Sequence, residues 1–126
     1  MLSTIQTQEA PAAIGPYSQG MVADDLVLVS GQLGLDPQTG ALKGQGLDAQ
    51  ARQALANLKA VLKAADCELH QVVAVDVFLT DMNDFAAFNA IYEAFFGSHK
   101  PARAVVAVKA LPKNAIIEIK CMGWRK

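Results

Sequence analysis

Cysteine, histidine and charged residues are scarce in this sequence, and each scarcity narrows the range of functions. The two cysteines, Cys67 and Cys121, lie far apart and match no metal-binding spacing. The two histidines, His70 and His99, are isolated as well, so the sequence predicts no metal site. Charged residues make up 18% of the chain, the net charge is -1, and no block of like charges occurs. Nucleic-acid binding, which uses clustered lysine and arginine, is therefore not expected.

Long apolar runs are missing too. None approaches the roughly 20 residues of a transmembrane helix. The stretch MLSTIQTQEAPAAIGPYSQG at the start lacks the basic and hydrophobic regions of a signal peptide. We therefore expect a cytoplasmic protein with reduced thiols and no membrane contact.

Apolar residues, in contrast, are abundant, at 52% of only 126 residues. This length fits one domain, 1–126, whose small interior cannot hold so many apolar side chains. Some of them should be buried between identical subunits, which predicts a homo-oligomer.

Hydrophobic periodicity predicts an α+β fold. Apolar residues recur at helical spacing at about 47–65 and 85–96. Short apolar runs predict a strand at 2–7, a hairpin of 17–22 with 26–33, a strand at 71–80, and a closing hairpin of 103–110 with 115–123. This order favours a mainly antiparallel mixed sheet with both helices on one face. The other face would be rich in Val, Ile and Leu and would have to meet another subunit.

Two charged residues stand out in the predicted closing hairpin, Arg103 and Glu118. Arg103 is either a solvated arginine at a strand end or an anion anchor, because a guanidinium binds a carboxylate through two parallel hydrogen bonds. Glu118, flanked by isoleucines, is either on the solvent face of an edge strand or a carboxylate in an apolar pocket that accepts a proton from water. A hairpin would bring both into one site.

Polar residues elsewhere leave similar alternatives. Tyr17 follows the loop IGP, where a tyrosine most often packs its ring and leaves its hydroxyl in water. Ser30 and Gly31 lie at a strand end, and the segment SGQLG fits either a β-bulge or a close approach of the backbone to a ligand. Asn89 interrupts the apolar side of the second helix, as a structural tie or a ligand contact. No Ser-His-Asp set or phosphate loop is present, so the available groups suit a small anionic substrate and an attacking water.

Several separate blocks, in order, resemble the RidA family (YjgF/YER057c/UK114) of reactive enamine/imine deaminases. These blocks are APAAIGPYSQG, VSGQLGLDPQTG, QARQALANLKAVLKAA, VFLTDMNDFAAFNAIYEAFF and KPARAVVAVKALPKNAIIEIK. The resemblance implies a chorismate-mutase-like fold and a homotrimer with three intersubunit clefts. It implies hydrolysis of 2-aminoacrylate and related 2-imino acids, released by pyridoxal-phosphate-dependent dehydratases, to 2-oxo acids and ammonia without a cofactor.

The resemblance also implies roles for individual residues. Arg103 would grip the substrate carboxylate and Glu118 would position or activate water. The other predicted site residues would line the cleft, and they are Tyr17, Ser30, Gly31, Asn89 and Val105. Val105 would contribute its backbone. Ala104 departs from the family pattern by lacking a hydroxyl, and the connection at 97–100 is short. The alternatives are a non-catalytic regulator or chaperone that binds small carboxylates, and a ribonuclease, which the charge pattern disfavours.

Overall fold

The computed structural model describes all residues, Met1–Lys126, and contains a mixed sheet of six strands with two α-helices. The strands are β1 (Leu2–Ile5), β2 (Gly20–Ala23), β3 (Leu26–Leu33), β4 (Val72–Leu79), β5 (Ala102–Ala107) and β6 (Ile117–Trp124). The helices are α1 (Leu47–Ala64) and α2 (Phe85–Phe96). The predicted α+β class and both predicted helices are confirmed.

Strand order differs from the sequence prediction at one decisive point. The order is β1-β2-β3-β6-β4-β5, with β5 parallel to β4 and every other pair antiparallel. The predicted hairpin of 103–110 with 115–123 is therefore wrong, because β4 lies between β5 and β6. Glu118 accordingly lies on an interior strand, whereas Arg103 lies on β5 at one edge of the sheet. Helix α2 forms the crossover between the parallel strands β4 and β5.

Helix α1 covers one face of the sheet with the predicted apolar stripe. Ala51, Leu55, Leu58 and Leu62 are all buried there, against alternate residues of the strands such as Ile119. Such burial contributes about 1.5–3 kcal/mol for each large side chain. Two buried amides of the same helix fix the neighbouring loops: Asn57 donates to the carbonyls of Leu33 and Leu35, and Gln50 accepts from the amide of Ile116.

Helix α2 follows a capped 3-10 turn and ends at a glycine. The Asp81 carboxylate accepts a hydrogen bond from the Asn83 amide, at 2.9 Å, in the short 3-10 turn that leads into the helix. Gly97, with φ of 66°, ends it in a conformation that few other residues adopt. The stripe predicted at 85–96 faces the core, and Phe88 and Tyr92 are its buried members.

The opposite sheet face has no helix and is largely apolar. Met122 and Trp124 of β6 are exposed there at 37% and 49%, and Leu28 and Phe78 beside them are half-buried. Val73, unlike Val75 and Val77 of the same strand, is 47% exposed, because a register shift between Val72 and Ala74 interrupts the alternation. No helix in the protein is long and apolar enough to cross a membrane.

Candidate functional site

Arg103 is held in a defined orientation at the start of the edge strand β5. Its Nη1 donates a hydrogen bond to Oδ1 of Asn89, at 2.8 Å. The guanidinium carbon lies 4.7 Å from the ring centroid of Tyr92 and 5.8 Å from that of Phe85. All three partners belong to α2, while Arg103 as a whole is exposed. The guanidinium is thus fixed from one side, and its other N–H groups can bind an anion.

A cavity of about 430 Å³ adjoins this arginine. Its lining includes the Arg103, Asn89 and Tyr92 cluster and continues along the α2–β5 connection to His99 and Lys100. The imidazole of His99 hydrogen-bonds the Val72 carbonyl at 2.7 Å, which ties that connection to the sheet. The short segment at 97–100 therefore forms one wall of the cavity beside Arg103.

Glu118 occupies a second, separate position on the face of the sheet that has no helix. Its neighbours in β6, Ile117 and Ile119, are fully buried on the helix side, so alternation directs Glu118 to the other side. Partial burial raises the pKa of the Glu118 carboxyl, while the Lys120 ammonium opposes this shift. The carboxylate is thus a stronger proton acceptor than an ordinary exposed glutamate.

Gly31 makes room for this carboxylate. A register shift between Val29 and Gln32 places Gly31 in an irregularity of β3, which agrees with the predicted β-bulge. A β-carbon at Gly31 would lie 1.8 Å from Oε2 of Glu118, so any other residue would displace the carboxylate. The position of the Glu118 carboxylate therefore depends on the absence of a side chain at Gly31.

Tyr17 belongs to the loop that precedes β2, and Ser30 of β3 contacts that loop. The Ser30 hydroxyl donates to the Ser18 carbonyl at 2.6 Å, so its proton serves the loop. Tyr17 is 55% exposed and lines a different cavity from Arg103. Sequence reasoning missed Gln19, a buried amide whose Nε2 donates to the carbonyls at residues 7, 10 and 11 and thereby holds the loop in shape. The signal available in the sequence was a glutamine, with its amide donor and acceptor, close behind a Gly-Pro loop.

The predicted site residues thus fall into two groups within one chain. Arg103 and Val105 are paired with Val75 and Val77, whose side chains are buried on the helix side. Glu118 is paired with Phe78 on the opposite side. Arg103 and Asn89 come together, as do Glu118 and Gly31, but the two groups lie on opposite faces of the sheet. A single chain does not bring the guanidinium and the carboxylate into one cavity.

The two cysteine thiols lie inside the core. Cys67 and Cys121 are free and buried, and burial raises the pKa of each thiol, which disfavours the nucleophilic thiolate. No three side chains of the His, Cys, Asp and Glu types are grouped so that they could hold a metal ion. The groups available for chemistry are therefore those at the two positions above.

Comparison with known proteins shows the family to which the chain belongs. The family model for endoribonuclease L-PSP matches residues 7–124. The 2-iminobutanoate/2-iminopropanoate deaminase of Salmonella typhimurium is 48% identical, over 100% of both chains. Among solved structures, the YjgF gene product of E. coli superposes with a TM-score of 0.94 at 46% identity, covering 98% of this chain and 99% of that one. E. coli TdcF with bound serine gives a TM-score of 0.94 at 41% identity, with the same coverage. The chain belongs to the endoribonuclease L-PSP family, the RidA/YjgF family that its sequence blocks resemble.

Proposed function

We propose that this protein is a 2-iminobutanoate/2-iminopropanoate deaminase. The observation that carries the proposal is the fixed guanidinium of Arg103, which is hydrogen-bonded to Asn89 and lies over the Tyr92 ring with its remaining donors free. Such a group binds a carboxylate in one orientation. The Salmonella relative carries the same activity in its name, and TdcF was solved with serine, an amino acid that has a carboxylate.

The reaction requires little beyond orientation and a positioned water. Water adds to the C=N carbon of the 2-imino acid, the resulting amino alcohol expels ammonia, and a 2-oxo acid remains. Arg103 holds the carboxylate, which fixes the imine carbon relative to the water. Glu118 takes a proton from the attacking water and passes it to the imine nitrogen, and it then transfers the proton of the new hydroxyl to the nitrogen as the C=O bond forms and the C–N bond breaks. The enamine form, such as 2-aminoacrylate, enters the same path after it takes up a proton at carbon.

We propose a homotrimer in which each active site lies between two protomers. The two groups of site residues lie on opposite sheet faces, so a neighbouring chain must supply the missing half of each cleft. Arg103, Asn89 and the Val105 backbone of one protomer would face Glu118 and Gly31 of the next, with Tyr17 and Ser30 forming a wall. The apolar sheet face without helices supports this assembly, because subunit packing would remove it from water.

The assembly predicts that Met122→Glu produces monomers. Met122 is 37% exposed in the isolated chain, so the substitution is tolerated there, but within a subunit interface it would bury an unpaired carboxylate. Sedimentation should give about three times the chain mass of 13.4 kDa for the wild type, and the chain mass itself for the variant. Lys59→Glu, on the outer side of α1, is the control and should remain trimeric. A trimeric Met122→Glu protein would contradict the proposed interface.

The substrates are the reactive imines that pyridoxal-phosphate-dependent dehydratases release from serine and threonine. We place the reaction in the cytoplasm beside these enzymes, with no cofactor and no nucleic-acid partner. Arg103 and Glu118 suffice for the chemistry, and the scattered basic residues do not form the charged stripe that binds a phosphate backbone.

The decisive experiment couples a purified threonine dehydratase to this protein and records the release of 2-oxobutanoate. The wild type should accelerate the release, and Arg103→Ala should abolish the acceleration because the carboxylate loses its anchor. Arg52→Ala is the matched control, since Arg52 lies exposed on α1 and pairs with Asp48. If the wild type binds 2-oxobutanoate saturably but accelerates nothing, the deaminase proposal fails and a carboxylate-binding regulator replaces it.

A further inference from the structure

We infer that Tyr92 is a positioning residue for the substrate carboxylate, acting through the aromatic face on which the Arg103 guanidinium lies. The inference rests on the proposed function of Arg103. It goes beyond that function because Tyr92 is not among the candidate site residues predicted from the sequence. The ring would fix the plane of the guanidinium, and that plane would determine how well two parallel hydrogen bonds reach a bound carboxylate.

The Tyr92 ring is itself immobilised. The residue is 8% exposed, and its ring lies between those of Phe88 and Phe96, with centroids at 5.6 Å and 4.8 Å. Aromatic pairs at these separations attract each other beyond the effect of area burial. The guanidinium therefore rests on a rigid surface, 4.7 Å from the Tyr92 centroid.

Asn89 and Tyr92 constrain Arg103 in complementary ways. The hydrogen bond from Nη1 to Asn89 fixes one nitrogen at 2.8 Å but permits rotation about that contact. A flat ring beneath the guanidinium opposes tilting, because the cation is attracted to the face of the ring. Without the ring, the exposed Arg103 side chain would sample more orientations, and a ligand would have to select the productive one.

The aromatic face, rather than the hydroxyl, carries this role. The Tyr92 hydroxyl is buried and has no hydrogen-bond partner within the chain, so it does not hold the arginine. Burial also raises the pKa of the phenol, although nearby Arg103 lowers it, and the ring stays uncharged at neutral pH. Phenylalanine should therefore replace tyrosine here, and an aliphatic residue should not.

The test compares Tyr92→Leu with Tyr92→Phe in the whole protein. For Tyr92→Leu we expect KM for the imine and Kd for 2-oxobutanoate to rise about tenfold, which corresponds to about 1.4 kcal/mol of lost cation–π attraction. The change in kcat should stay within about threefold, because carboxylate binding is common to the ground state and the transition state. Tyr92→Phe should retain wild-type affinity. Phe95→Leu, an aromatic truncation on α2 without contact to Arg103, should also leave the affinity unchanged.

A second ligand separates positioning from a general loss of structure. 2-Oxobutanamide has the shape of 2-oxobutanoate but no charge, so its affinity should not depend on the plane of the guanidinium. Tyr92→Leu should therefore weaken binding of the carboxylate much more than that of the amide. Equal losses for both ligands, or an unchanged Kd for 2-oxobutanoate, would overturn the inference. Binding is measured without turnover, so wild-type protein that binds 2-oxobutanoate and hydrolyses nothing would refute the deaminase proposal alone.

Discussion

A one-to-one mixture of Arg103→Ala and Glu118→Gln chains, unfolded and refolded together, should regain about a quarter of wild-type deaminase activity. Each variant alone should be nearly inactive. Arg103 packs against α2 on one face of the sheet, whereas Glu118 lies on the other face beside Gly31. Because these groups face away from each other within a chain, each cleft of the proposed trimer would draw them from two different protomers.

The size of the recovery follows from counting clefts. Random assembly of the two variants gives about three quarters mixed trimers, and each mixed trimer has one of its three clefts intact. That cleft combines Arg103 from a Glu118→Gln chain with Glu118 from an Arg103→Ala chain. About a quarter of all clefts are then complete.

The control is a mixture of Arg103→Ala chains with chains of the double variant Arg103→Ala/Glu118→Gln. No chain in this mixture has Arg103, so no cleft can recover activity. Native mass spectrometry of each mixture establishes that mixed trimers have formed. Mixed trimers without activity would contradict a shared site and would place the two groups in a single protomer.

Local patterns in the sequence were sufficient to predict the helices and most strands. Repeats of three and four identify α1, Asp81 caps the 3-10 turn that precedes α2, and Gly97 ends α2. The apolar excess also anticipates the uncovered sheet face that includes Met122 and Trp124. These properties depend on neighbours in the chain, so a single sequence contains them.

The predicted hairpin of 17–22 with 26–33 is confirmed by the pairing of β2 with β3, but the pairing of the last two strands was not predicted correctly. That pairing depends on contacts between distant residues. Two β-rich runs joined by a segment with proline and asparagine suggest a hairpin, but the same pattern fits a connection that passes the end of β4. The arrangement of β4, α2 and β5 as strand, helix and strand is the signal that could have identified a parallel crossover. Recognising it would have removed the hairpin and left β5 at the sheet edge.

The sequence selected candidate site residues, but it did not supply their arrangement in space. Arg103 and Asn89 were both selected, and the structure joins them by a hydrogen bond. The ring of Tyr92 beneath Arg103 was not foreseen, because a tyrosine in an apolar stripe has the appearance of a core residue. The assignment of Arg103 and Glu118 to opposite faces required the sheet register, which the sequence alone does not supply.

Glu118→Gln should lower kcat/KM by about 10²–10⁴-fold. It should also remove the decline of activity at low pH, which is the acidic limb of the pH profile. Partial burial raises the pKa of the Glu118 carboxyl above the ordinary value for glutamate, and the Lys120 ammonium limits that rise. The base works only when ionised, so wild-type activity should fall as the pH drops through this raised pKa. Glutamine has no proton to gain there, and its residual activity should not show that limb.

Lys120→Ala tests the electrostatic cause of this limb separately. Removing the ammonium takes away the charge that favours the carboxylate, so the pKa of Glu118 should rise further and the acidic limb should move to higher pH. Lys109→Ala, which removes a lysine beyond the end of β5, is the matched control and should leave the limb in place. A limb that persists in Glu118→Gln would belong to the substrate imine and would exclude Glu118 as the general base. A limb that disappears in Glu118→Gln and shifts upward in Lys120→Ala would assign the proton transfer to this carboxylate.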